Sequence, residues 1–148
     1  MDWKRLIAER RVEAAPRASK PELDELRVMV ERNLGDAELA GISDEGRFSM
    51  AYNAARLVAV MAIRVSGYRV KQPGAHFNTF QALAAVEAPG IAAMASYLDI
   101  CRVKRNEVSY VRAHDVTGVE AAELLRKARQ FWAAVKAWIV ARRPSLAP

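Results

Sequence analysis

The stretch FSMAYNAARLVAVMAIRV at residues 48–65 decides the architecture. It is rich in alanine and apolar on most sides of a helix. A helix of that kind belongs in the middle of a bundle, because every face needs an apolar neighbour. Ser43 is its best cap candidate, so the helix is expected over about 44–66, with Gly67 closing it. The preceding LAGISDEGRF reads as the loop that leads into it.

Working toward the N-terminus, Leu23, Leu26, Val30 and Leu34 recur at spacings of three and four. They predict a helix over 20–34 with one buried stripe and Gly35 as its stop. Ser19 has Glu22 three residues later, which is the capping-box spacing, and Pro21 lies in the first turn. Residues 2–14 form a short amphipathic helix in this reading. Trp3, Leu6 and Ile7 share one side, Lys4, Arg5, Glu9 and Arg10 surround it, and Pro16 ends it.

Toward the C-terminus, YRVKQPGAHFN reads as a basic loop containing Pro73 and Gly74. A helix is expected at roughly 77–87, then a Pro89–Gly90 break, then a helix at roughly 91–112. His114, Asp115 and Thr117–Gly118 form a turn. The last helix, about 118–142, carries Leu124, Leu125, Ala128, Phe131, Trp132, Val135, Trp138 and Ile139 at helical spacing, and the tail RRPSLAP is expected to fray. No period-2 strand pattern and no internal repeat stands out. The expected fold is therefore all-α: one domain over residues 1–148, a helical bundle of five to six helices.

The 148 residues suit a single domain, and 52% hydrophobic with 27% charged is an ordinary globular balance. The net charge of +6 favours an anionic partner such as RNA, DNA or a nucleotide, without naming one. A single cysteine, Cys101, excludes an internal disulfide and a cysteine-based zinc site; its apolar neighbours place it in the core. No metal or other cofactor is expected. No run of about 18 apolar residues suggests a membrane span, and MDWKRLIAERR lacks the apolar centre of a signal peptide. The expected location is the cytoplasm, away from membranes.

The chemistry gathers in YLDICRVKRNEVSYVR, residues 97–112. On a helix, Arg102, Asn106 and Tyr110 follow at steps of four and line one face. Asp99 sits a turn before Arg102, Ser109 a turn after Arg105, and Arg105 lies about 60° around from Arg102. Leu98, Cys101 and Val108 face the other way. Arginine is a planar donor fork suited to phosphate oxygens; an amide and a phenol can contact sugar or base. The same face can equally be a solvated surface holding an Asp99–Arg102 helix pair. Tyr52 and Asn53 sit inside the apolar helix, where polar groups need partners, and the motif helix could supply them.

Three segments together carry a resemblance: RFSMAYNAA at 47–55, GYRVKQPGAHF at 67–77 and LDICRVKRNEVSY at 98–110. They resemble a HEPN domain, in particular a bacterial subgroup, over roughly residues 40–140, with residues 1–36 as a helical extension packed on that core. The resemblance implies an α-bundle that pairs two motif helices across the cleft of a homodimer. It implies metal-independent RNA cleavage, with Arg105 on the scissile phosphate and Asn106 beside it. It also implies a toxin paired with a nucleotidyltransferase-like antitoxin. His76 matches a histidine of the subgroup and would contact phosphate or base, or simply fix its loop.

The sequence departs from the family at one place. Five residues after Arg105, where the family carries His, stands Tyr110, and a phenol with a pKa near 10 is a poor base at neutral pH. His114 follows nine residues after Arg105. The position of the family's nucleotidylated Tyr is Arg112. Two functions follow as expectations. One is an endoribonuclease using Arg105, Asn106 and Tyr110, supported by Arg102, Asp99, Ser109, His76, Tyr52 and Asn53. The other is a catalytically degenerate dimer that binds RNA, a nucleotide or a protein partner without cutting.

Overall fold

Ser43 caps the central helix as its position requires. In the computed structural model its hydroxyl accepts from the Gly46 amide at 3.0 Å, and Asp44 and Glu45 in the first turn complement the helix dipole. The structure describes residues 2–110 and 116–148, with the backbone alone at 107–110. The elements in chain order are α1 (Trp3–Ala8), β1 (Val12–Ala14), α2 (Lys20–Ala37), α3 (Asp44–Val65), β2 (Tyr68–Val70), α4 (Ala75–Leu83), the single turn α5 (Pro89–Ala92), α6 (Met94–Tyr110) and α7 (Gly118–Arg142). A 3₁₀ turn at Pro144–Leu146 follows.

The helical bundle is as expected. α3 packs against α2, α7, α4 and α6. Ala51, Ala54, Ala55, Ala59 and Ala62 are fully buried, and their small side chains let neighbouring helices approach from several sides at once. α2 contributes Leu23, Val30, Leu34 and Ala37 to the same hydrophobic cluster. α7 contributes Leu124, Ala128, Phe131, Trp132, Val135 and Ile139, and α6 contributes Leu98 and Cys101. Cys101 is a core residue: burial pushes its thiol up to about 11, so it stays protonated at neutral pH. By length and composition α3 could cross a membrane, which the sequence reading did not anticipate. Inside this fold, 72% of its apolar window is buried against other helices.

The N-terminal segment departs from expectation. α1 stops at Ala8, well before Pro16, because Arg10 takes a left-handed backbone (φ 59°) that reverses the chain. Residues 12–14 then run extended as β1. They pair antiparallel with β2, Val12 opposite Val70 and Ala14 opposite Tyr68. The stretch read as a basic loop thus begins as a strand. Three residues per strand are too few for alternation to show in sequence. Trp3 stacks on Tyr68 (centroids 4.1 Å apart, 9° between planes), and a satellite core of Leu6, Val12, Ile63 and Ala82 lies beneath.

Other boundaries shift for local reasons. α2 continues through Gly35 to Ala37, since burying Leu34 and Ala37 offsets the roughly 1 kcal/mol cost of a helical glycine. α4 starts at Ala75 instead of 77, launched by Gly74 in a left-handed conformation (φ 81°), and ends at Leu83. The helix expected at 91–112 is broken at Ala93 into α5 and α6. The tail does not fray: Leu146 is buried, and its carbonyl accepts from the Arg27 guanidinium. The C-terminal helix matches its expected span, with Thr117 and Glu120 forming a complete capping box.

Candidate anion-binding site

α3, α4 and α6 bring a cluster of cationic and aromatic side chains together. Tyr52 and Arg56 lie one turn apart on α3, so they share a face. The Tyr52 ring is fully buried, and its hydroxyl lies 3.1 Å from His76 Nδ1 in the first turn of α4. From α6, the Arg105 guanidinium covers the Tyr52 ring, its Cζ 5.4 Å from the centroid. Arg102, one turn earlier, holds Asp99 at 2.8 Å through Nε and stacks over Phe77, 5.2 Å from its centroid. Arg11, arriving from the turn before β1, stands over the same Phe77 ring at 5.0 Å.

Charge balance across this cluster is lopsided. Arg56, Arg102 and Arg105 all act on Tyr52 and His76, and among the described residues Asp99 is the one carboxylate that registers with them. Asp99 is already committed to Arg102. Both Arg56 Nε and Arg105 Nε are buried, and neither has a hydrogen-bond partner among the described residues. A buried N–H left without an acceptor costs about 1–3 kcal/mol. Two such donors on neighbouring helices are therefore unfavourable for as long as no acceptor meets them. Burial also lowers the Arg56 pKa, and the charge of Arg105 adds to the effect.

The electrostatics fix the protonation of the uncharged pair. Burial raises the Tyr52 pKa to about 12, although the arginines oppose the shift, so the phenol remains protonated. Burial lowers the His76 pKa to about 4, and Arg56, Arg105 and Arg102 push in the same direction. His76 is therefore a neutral imidazole at neutral pH. The Tyr52 contact sets its tautomer. If Nδ1–H donates to Tyr52 Oη, Nε2 is a free base; if Tyr52 donates, Nε2 carries the proton.

Of the residues expected in the site, the structure gathers Arg102, Arg105, Asp99, His76 and Tyr52. Asp99–Arg102 is the helix pair anticipated from spacing. Tyr52 finds its hydrogen-bond partner on α4, while α6 supplies the guanidinium over its ring. Asn53 is half-buried and Asn106 exposed, and neither makes a hydrogen bond to the cluster among the described residues. The side chains of Ser109 and Tyr110, and all of Arg112, His114 and Asp115, lie outside the described residues. Sequence reading passed over Arg56 and Phe77. The signal for Arg56 was an arginine one helical turn after a tyrosine, inside an otherwise apolar run. Phe77 adjoins the histidine already singled out. Among the described residues no group of three or more His, Cys, Asp or Glu is placed to hold a metal. No protein-family model, curated protein or solved structure matches this chain, so any assignment of function rests on the geometry of these side chains.

Proposed function

We propose that this chain binds RNA as a HEPN-like protein, seating a phosphate between Arg56 and Arg105 with Arg102 alongside. The observation that carries the reading is the pair of buried, unpartnered Nε donors on α3 and α6. A phosphodiester oxygen supplies an acceptor and a negative charge to both, which no neighbouring side chain among the described residues does. The net charge of +6 assists association with a polyanion. The reading includes a cytoplasmic homodimer that brings two α6 helices together, and a nucleotidyltransferase-like antitoxin as a candidate partner.

A second reading, metal-independent cleavage, is favoured by His76. It is a neutral imidazole beside the arginines, and it offers the proton-transfer group that Tyr110 does not. In that reaction Nε2 accepts the proton of a ribose 2′-hydroxyl, whose oxygen attacks the adjacent phosphorus. The bond to the 5′-oxygen breaks, that oxygen takes a proton from a water whose hydroxide recovers the proton held on Nε2, and a 2′,3′-cyclic phosphate remains.

Purified protein incubated with single-stranded RNA in EDTA tests both readings. Binding that falls at least about tenfold in Arg105→Ala supports the phosphate seat. Cutting that disappears in His76→Ala while binding persists establishes the nuclease. Binding by Arg105→Ala equal to that of wild type would overturn the seat.

A further inference from the structure

We propose that a second anionic subsite, formed by Arg10, Arg11 and Lys71, takes the neighbouring phosphates of the same single-stranded RNA, so that the strand crosses Phe77. This rests on the RNA reading above and extends it from a single phosphate to a track.

These residues line a groove of about 460 Å³ between the end of α1 and the loop after β2. That volume suits a nucleotide-sized occupant. The charge is unbalanced here too. Glu9 is the one acid in the lining, and it is held by Arg5 at 3.6 Å and Arg11 at 3.4 Å. Arg10 and Lys71 have no anionic partner among the described residues. Arg10 also sits at φ 59°, where glycine or asparagine would be less strained, yet the chain places an unpaired guanidinium there.

The groove is held in fixed register with the first seat. Buried Asn78 accepts from Arg11 at 3.2 Å and donates to the carbonyls of Lys71 (2.9 Å) and Pro73 (3.1 Å). Phe77, the residue before it, carries Arg11 and Arg102 over one ring, so the two cationic regions share a single aromatic hinge point. The first turn of α4 holds both His76 and Phe77. No side chain caps it, so its amides add positive potential along the same line. Two cationic regions joined in this way match a linear polyanion better than an isolated phosphate.

The test is titration calorimetry at low salt with uridine 5′-monophosphate and with 2′-O-methyl octauridylate, which cannot be cut. Wild type should bind the oligonucleotide at least about tenfold more tightly than the mononucleotide. The double variant Arg10→Gln, Lys71→Gln should lose most of that gain and leave mononucleotide affinity unchanged. Its salt dependence should be shallower by about 0.7 in log–log slope for each phosphate the variant no longer neutralises. Neither side chain makes a hydrogen bond or ion pair among the described residues, so the variant should fold, which circular dichroism checks. Equal affinity for the two ligands, or an unchanged double variant, would overturn the second subsite and leave the seat standing. No binding of either ligand by wild type would overturn both. Octaglutamate binding as tightly as the oligonucleotide would overturn RNA as the occupant.

Discussion

Arg56 and Arg64 stand on the same apolar helix, and their surroundings are opposite. Arg64 is buried and matched. Its guanidinium meets both Glu22 oxygens at 2.8 and 3.1 Å, the Pro16 carbonyl at 3.0 Å and the Tyr68 carbonyl at 3.3 Å. It fastens α2, the linker before it and β2 to the end of α3. Among the described residues the buried Nε of Arg56 on α3 has no acceptor, and neither has the buried Nε of Arg105 on α6. One arginine has its donors met within the chain, and the other has a donor that no described residue meets, which is where the proposed phosphate would sit. A charge in a core helix thus divides by whether its donors are already met.

The contrast breaks most easily at Arg64. Arg64→Ala strands Glu22 and two carbonyls, and should cost about 3 kcal/mol, lowering Tm by roughly 10 °C in a thermal melt. RNA affinity at a temperature where the variant is folded should be unchanged. Arg56→Met reverses the pattern. It removes an unmet buried donor and one of several mutually repelling charges, so stability should rise by about 1 kcal/mol by urea titration while RNA binding weakens. A destabilised Arg56→Met would mean that Arg56 is a structural residue like Arg64.

His76 sharpens the comparison through pH. Its folded pKa is depressed to about 4 from an ordinary 6.5, so the unfolded chain binds the extra proton first. Its contribution to stability is complete above about pH 6.5 and is lost as pH falls toward 4. His76→Gln should flatten the stability profile in that window by on the order of 1 kcal/mol, after allowing for its partial exposure. Phosphate bound on the arginines should cancel part of their field and raise the His76 pKa, visible as a shifted imidazole titration by NMR. The smallest effect is expected at Gly35, which is helical with open space where a Cβ would go. Gly35→Ala should stabilise α2 by about 0.5–1 kcal/mol without touching RNA binding.

What could be read from sequence followed from period and punctuation. Ser43 and Ser19 cap the helices they were expected to cap, and the apolar runs of α3 and α7 are long enough for their period to be unambiguous. Glu22 shows the limit. Its spacing after Ser19 fits a capping box, and Ser19 does accept from its amide, but its carboxylate reaches across to Arg64 instead. Local spacing carries no information about a partner so far along the chain. The site was half legible for the same reason. Asp99, Arg102 and Arg105 share one helix, so their relation is a matter of counting. Arg56 and Phe77 join them only because α3, α4 and α6 pack together, and no local pattern encodes that. The sheet escaped notice because each strand is three residues long.

That small sheet also bears on the order of folding. β1 and β2 are expected to pair after α2 and α3, the helices between them, have formed and docked, since closing so long an unstructured loop for so few ladder bonds is entropically unfavourable. The Lys71 amide donates to the Arg11 carbonyl at 2.9 Å, which makes the sheet the element that places Arg11 beside Phe77. On that argument, the Arg11 end of the proposed track rests on the element expected to form last and reopen first. Amide hydrogen exchange should find residues 11–15 and 67–71 opening well below the global unfolding free energy, and a bound oligonucleotide should slow their exchange more than that of α7.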